Sequence, residues 1–178
     1  MLLGLGSDPT WSPDGRAIAY WIRLPDGGDE LRVLDLASMS STPVPGSQNM
    51  YSPRWSPDGE YLAAMASDHL RLAVYSFARG TWTDVLKTPG HLEWPSWSRD
   101  SKSIYVEAEY IRDDLRGSLV RVGIADREME PIASGKDVRF TAFYYWNAGW
   151  FGLTPDDRPI TTLDTGVEEI YAFDLEYK

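Results

Sequence analysis

The sequence predicts an all-β fold, a β-propeller built of four repeated four-strand units, and three observations carry that prediction. A turn motif recurs four times, as Trp11-Ser12-Pro13-Asp14-Gly15, Trp55-Ser56-Pro57-Asp58-Gly59, Trp97-Ser98-Arg99-Asp100-Ser101 and Leu153-Thr154-Pro155-Asp156-Asp157. The first two intervals are 44 and 42 residues, the length of one propeller blade, and the third, at 56, accommodates an insertion. No window sustains a helical period, whereas apolar segments of strand length follow each motif.

Each motif is suited to a hairpin. Serine fits the first turn position, proline presets φ at the second, aspartate fits the third, and glycine accepts the positive φ that closes a type I turn with a bulge. Ser101 and Asp157 stand where glycine stood in the first two copies. A non-glycine residue at positive φ costs roughly 1 kcal/mol, less for aspartate, which enters the left-handed region more readily.

A strand follows each turn, with an aliphatic residue seven positions past the start of the motif: Ile18, Leu62, Ile104 and Ile160. Ala17–Trp21 and Tyr61–Met65 are apolar on both faces, as a strand between two neighbouring blades must be. Small residues there, Ala17, Ala19, Ala63 and Ala64, permit close approach of adjacent sheets. Third strands are expected at Leu31–Leu36, Leu72–Phe77, Leu119–Ile124 and Ile170–Leu175. Outer strands are expected at Thr42–Pro45, Trp82–Leu86 and Met129–Ile132, where proline breaks no ladder. The inner strands lead into the motifs, at Tyr51–Trp55, Glu93–Trp97 and Gly149–Leu153. The repeats thus run over about 7–50, 51–92, 93–148 and 149–178 of a single domain. Residues 1–6 are left as a strand that closes the ring or as the outer strand of an upstream blade.

Composition bounds the function. The net charge is −10, with 17 basic residues scattered among 27 acidic ones. No cluster of Lys and Arg exists to displace counterions, so nucleic acid is not an expected partner. No apolar stretch is long enough to span a bilayer, so membrane insertion is not expected. The absence of cysteine excludes disulfides and thiolate metal sites and leaves the compartment open, a soluble cytoplasmic or periplasmic protein being expected.

Four Trp-Ser-Pro-Asp-Gly-like turns, each followed by an Ile-Ala-Tyr-type strand, resemble the WD-like repeats of TolB-type β-propellers over nearly the whole chain. The ending, from Trp150-Phe151-Gly152-Leu153 through Asp164-Thr165-Gly166 to Ile170-Tyr171-Ala172-Phe173-Asp174-Leu175, resembles the C-terminus of certain bacterial multidomain proteins. Those carry such a propeller behind a winged-helix DNA-binding domain or a serine/threonine kinase domain. The resemblance implies a non-catalytic sensor or scaffold module of a larger bacterial protein, binding a protein or ligand. TolB-type propellers commonly have six or more blades, so four repeats either close alone or form half of a larger ring completed by a second copy.

Chemistry-bearing residues are few. A propeller-bearing hydrolase needs a Gly-x-Ser-x-Gly elbow, and Gly6-Ser7, Gly46-Ser47 and Gly117-Ser118 all lack the second glycine. A four-histidine metal ring is excluded because His69 and His91 are the only two histidines. No metal and no cofactor is expected, and the motif aspartates are read as turn-formers. His69 is expected in an exposed hairpin loop, and Trp11, Trp55 and Trp97 as core wedges. Residues of the inner strands and their approaches face the channel mouth, where propellers take partners. The candidate binding residues are Tyr51, Arg54, His91, Glu93 and Trp94, together with Tyr144, Trp146 and Trp150 from an aromatic-rich run in the third repeat. Two alternatives stand beside the binding module: a hydrolase or lyase acting at that mouth through carboxylates and aromatics, and a structural or engineered fragment that assembles by oligomerisation.

Overall fold

A computed structural model of the chain describes residues 6–108, 118–134 and 151–161. Those residues contain fourteen strands and no helix. The first sheet holds β1 (Gly6–Trp11), β2 (Ala17–Arg23), β3 (Asp29–Asp35) and β4 (Ser40–Pro43). The second holds β5 (Met50–Trp55), β6 (Tyr61–Ala66), β7 (Arg71–Ser76) and β8 (Thr81–Lys87). The third holds β9 (Leu92–Trp97), β10 (Ser103–Ala108), β11 (Ser118–Gly123) and β12 (Met129–Ala133), and β13 (Phe151–Leu153) pairs with β14 (Pro159–Thr161). Every pairing is antiparallel between sequence neighbours, so each sheet is a meander. The expected strand at Ile170–Leu175 lies outside the described residues, as do residues 1–5. Gly6, the last residue of the segment left as a closing strand or an upstream outer strand, pairs with Ile22 at the start of the inner strand of the first sheet.

The turns follow the chemistry of their residues. Gly15 and Gly59 have φ of 69° and 79°, and Ser101 and Asp157 adopt φ of 60° and 59° in the same place. In each copy the motif hydroxyl donates to the aspartate two residues on: Ser12 to Asp14 (2.6 Å), Ser56 to Asp58 (2.6 Å), Ser98 to Asp100 (2.7 Å) and Thr154 to Asp156 (2.5 Å). The two departures from glycine are compensated across sheets. Ser101 Oγ accepts from the Asp58 backbone N–H (3.1 Å), and the Asp157 carboxylate accepts from the Arg99 N–H at 2.9 and 3.1 Å. The second bond exists because arginine stands where the other copies carry proline, which has no N–H to give. The last hairpin is one residue tighter, so Ile160 pairs with Gly152 and is 48% exposed.

Burial on both faces explains the sheet stacking. In the second sheet, Ala63, Met65, Leu72 and Val74 pack with Ile104, Val106 and Val120 of the third sheet. Alternate residues Leu62, Ala64, Ala73 and Tyr75 pack with Ala19 and Leu31 of the first. Fully buried alanines at 63, 64 and 73 bring the sheets close. β2, which has a described neighbour on one side alone, is correspondingly less buried than β6 or β10.

The motif tryptophans depart from the expected uniform wedge. Trp97 is 9% exposed, stacks on Tyr61 of the preceding sheet and donates its indole N–H to Arg54 O at 2.9 Å. Trp55 is partly buried against the first sheet and stacks on Phe77. Trp11 is 59% exposed. The indole reaches toward the sheet before its own, and among the described residues none precedes the first.

Candidate ligand site at the inner-strand ends

Three inner strands, β1, β5 and β9, open with the same irregularity. Asp8, Ser52 and Trp94 have φ of 50°, 52° and 52°, and each precedes a proline: Pro9, Pro53 and Pro95. They sit 44 and 42 residues apart, where the ladder with the second strand shifts register. An L-residue in the left-handed region costs on the order of 1 kcal/mol, and bulges re-aim the side chains beside them. Here they turn the starts of β1, β5 and β9 toward one cavity of about 570 Å³. Pro53 and Pro95 are fully buried and anchor two of the bulges from behind.

The cavity combines aromatic walls with paired charges. Trp21, Tyr51 and Trp94 line it, with Tyr51 edge-on to Trp21 and the Arg23 guanidinium over the Trp21 ring. Asp8 accepts from Ser52 Oγ (2.7 Å) and from Arg54 Nη1 (2.9 Å). Asp29 is buried, accepts from Ser67 Oγ at 2.5 Å and pairs with Arg23 at 2.9 Å. The indole N–H of Trp94 is buried without a hydrogen-bond partner among the described residues. Such a donor favours a ligand that brings an acceptor.

On one side of the cavity His69 Nδ1 lies 2.7 Å from both Tyr51 Oη and Glu93 Oε1, and His91 stacks on the His69 ring. Burial pushes the Tyr51 phenol far above its ordinary range, and the charges of Glu93, Asp8, Asp29 and Asp68 push in the same direction. The phenol therefore keeps its proton at any physiological pH.

Of the residues expected from sequence, Tyr51, Glu93 and Trp94 line the cavity. Arg54 stands behind it, held through Asp8, and His91 sits at its edge against His69. Tyr144, Trp146 and Trp150 lie outside the described residues. His69 is not the exposed loop residue its hairpin position suggests: its side chain is 19% accessible, held between Tyr51 and Glu93. Sequence reasoning missed Asp8, Trp21, Asp29 and Ser52. The available signal was the dipeptide X-Pro at Asp8-Pro9, Ser52-Pro53 and Trp94-Pro95, three residues before each motif tryptophan.

Antiparallel four-stranded sheets, stacked face to face in sequence order with their inner strands opening on one cavity, define a β-propeller fold of the TolB-like kind. Sixty residues are 40% identical to the Tol-Pal system protein TolB of Alcanivorax borkumensis, a stretch equal to 33% of this chain and 14% of that one. TolB from Acinetobacter baumannii superposes with a TM-score of 0.64 at 15% identity, covering 89% of this chain and 44% of the other. The β-propeller domain of the trilobed protease from Pyrococcus furiosus, with its open velcro topology, gives 0.58 at 18% identity over 71% of this chain and 41% of that one. The chain therefore spans less than half the length of each. No protein-family model matches it. No helix of the described residues is long and apolar enough to cross a membrane.

Proposed function

We propose that this chain is a non-catalytic propeller module that binds a protein segment or small ligand in the cavity at the ends of β1, β5 and β9. The observation that carries the reading is the threefold recurrence of a strained, proline-backed bulge at one cavity, where Trp94 also presents a buried donor without a partner among the described residues. Backbone strain kept at three equivalent places, all facing one space, is characteristic of binding sites. The missing Gly-x-Ser-x-Gly elbow supports a non-catalytic role, and the name of the Alcanivorax relative, a Tol-Pal system protein, supports a protein partner.

The module belongs, on this reading, to a longer bacterial protein, which the partial coverage of its relatives supports. The exposed Trp11 face then takes a further sheet, supplied by a second copy of the chain in a larger ring. Sedimentation across a concentration series tests the last point: Trp11→Glu abolishes a concentration-dependent dimer if it is right, and a monomer at all concentrations refutes it.

A library of displayed peptides and a small-molecule fragment set, read by amide chemical shifts, tests the binding site. Hits are expected to move the resonances of residues 7–8, 51–52, 67–69 and 93–94 and to be lost in Trp94→Ala. Hits that map elsewhere overturn the reading. The contact of His69 with Tyr51 and Glu93 favours one second reading, a hydrolase or lyase at the same mouth. Turnover of an ester, lactone or glycoside that disappears in Glu93→Gln would establish it.

A further inference from the structure

The turn between β6 and β7 is tied to the start of β9. His69 N–H donates to Ala66 O (2.8 Å), and Leu92 N–H donates to His69 O (2.8 Å). The backbone bearing His69 is thereby fixed to Leu92, whose immediate neighbours in the chain are His91 and Glu93. Two backbones with no sequence motif in common bring three donor side chains to one place. One ligand atom from each of His69, His91 and Glu93 lies within 4.8 Å of the others.

We propose that His69, His91 and Glu93 form a binding site for a divalent first-row transition ion, zinc foremost.

Two imidazoles and one carboxylate are the donor set that zinc and its neighbours take in three-ligand sites, with no thiolate required. The ring separation is compatible as well. Two imidazoles on one tetrahedral zinc, with Zn–N of about 2.0–2.1 Å, have ring centroids roughly 5 Å apart. The His69 and His91 centroids are 5.2 Å apart but stacked, 25° from parallel, so binding requires the His91 ring to turn until its nitrogen aims at the ion. His91 is exposed, so its side chain can close the remaining distance without disturbing the core.

The hydrogen bonding around His69 points the same way. Nδ1 carries either one lone pair or one proton, yet it has Tyr51 Oη and Glu93 Oε1 both at 2.7 Å. As an acceptor from Tyr51 it sets its lone pair against a carboxylate. As a donor to Glu93 it leaves the phenol sharing that proton. A cation shared by this nitrogen and the carboxylate removes the conflict, because both groups then direct lone pairs at the ion.

A three-residue set leaves coordination positions for an exchangeable ligand. Because His69 and Glu93 also line the cavity, the ion would stand in its wall. It would also bridge the second sheet to the third. Zinc uptake requires only this chain and is therefore separable from the partner-binding reading.

The test uses the whole chain, free of any histidine tag and stripped with a chelator. Zinc chloride is titrated by calorimetry, and cobalt chloride by its visible absorption. One equivalent per chain is expected, with a rise in thermal midpoint on binding. His91→Ala and Glu93→Gln are each expected to weaken uptake by about tenfold or more, as disruption of a metal site does, while Asp14→Asn on a distant turn leaves it unchanged. Because His91 is exposed, His91→Ala keeps the fold, and its circular dichroism verifies that. Absence of saturable uptake at millimolar zinc, or equal affinity in both site variants and the unaltered chain, overturns the proposal.

Discussion

Trp97 and Trp11 occupy the same position of the same motif, and replacing each by alanine should have very different consequences. A tryptophan removes up to roughly 250 Å² from water when buried, worth about 25 cal/mol per Å². At 9% exposure Trp97 realises nearly all of that, about 5 kcal/mol on the same coefficient. At 59% exposure Trp11 realises less than half, about 2 kcal/mol on the same scale. Trp97→Ala also strips Arg54 O of its donor, adding about 1 kcal/mol or more. Equilibrium urea denaturation followed by tyrosine and tryptophan fluorescence should therefore separate the variants by about 3 kcal/mol or more. Trp97→Phe, which keeps a ring against Tyr61 but loses the N–H bond and part of the buried area, should fall between them and guards against a variant too unstable to measure. Equal losses at positions 11 and 97 would refute the argument that each motif indole is buried by the sheet before its own.

Other consequences follow from the turns and the cavity. Gly15, at φ 69°, has nothing within 4 Å of where a Cβ would stand, so Gly15→Ala tests backbone strain alone; a loss of about 1 kcal/mol by denaturant midpoint is expected. Ser101→Ala keeps the left-handed residue and removes the acceptor for Asp58 N–H, and should cost about 1 kcal/mol, whereas an unchanged midpoint would show the cross-sheet bond to be inert. Hydrogen bonds from Ser12, Ser98 and Thr154, first among the causes, hold Asp14, Asp100 and Asp156 below the ordinary value of 3.8. A depressed folded-state value means that the contribution is present above 3.8 and is lost as pH falls through and below it. The denaturant midpoint should therefore drop in acid, less steeply in the triple Asp→Asn variant.

The repeat was legible because turn chemistry is local. Ser-Pro-Asp-Gly needs no distant partner to fold, and the apolar strands behind it register their burial on both faces in composition alone. Boundaries drifted where local signals compete: the outer strand expected over Thr42–Pro45 runs over Ser40–Pro43, two residues earlier. The site was legible only in part. Tyr51, Glu93 and Trp94 could be placed because they start an inner strand. Asp8 was invisible as a partner of Ser52 and Arg54, since those contacts span about one blade and exist only once the sheets stack. His69 illustrates the same limit. A histidine after Ser-Asp in a hairpin reads as solvated, and only the bond from Leu92 N–H to its carbonyl brings it against Glu93. Trp11 erred the other way, because periodicity describes a motif's place in the repeat and not whether a neighbouring sheet is present to cover it.

A crystal structure of the chain, at a resolution that fixes backbone dihedrals, bears on the whole account at once. Asp8, Ser52 and Trp94 should each be found at φ near +50°, with β1, β5 and β9 opening on a shared cavity. Inner strands that run without bulges, or sheets paired as a two-layer sandwich with those three residues far apart, would contradict it.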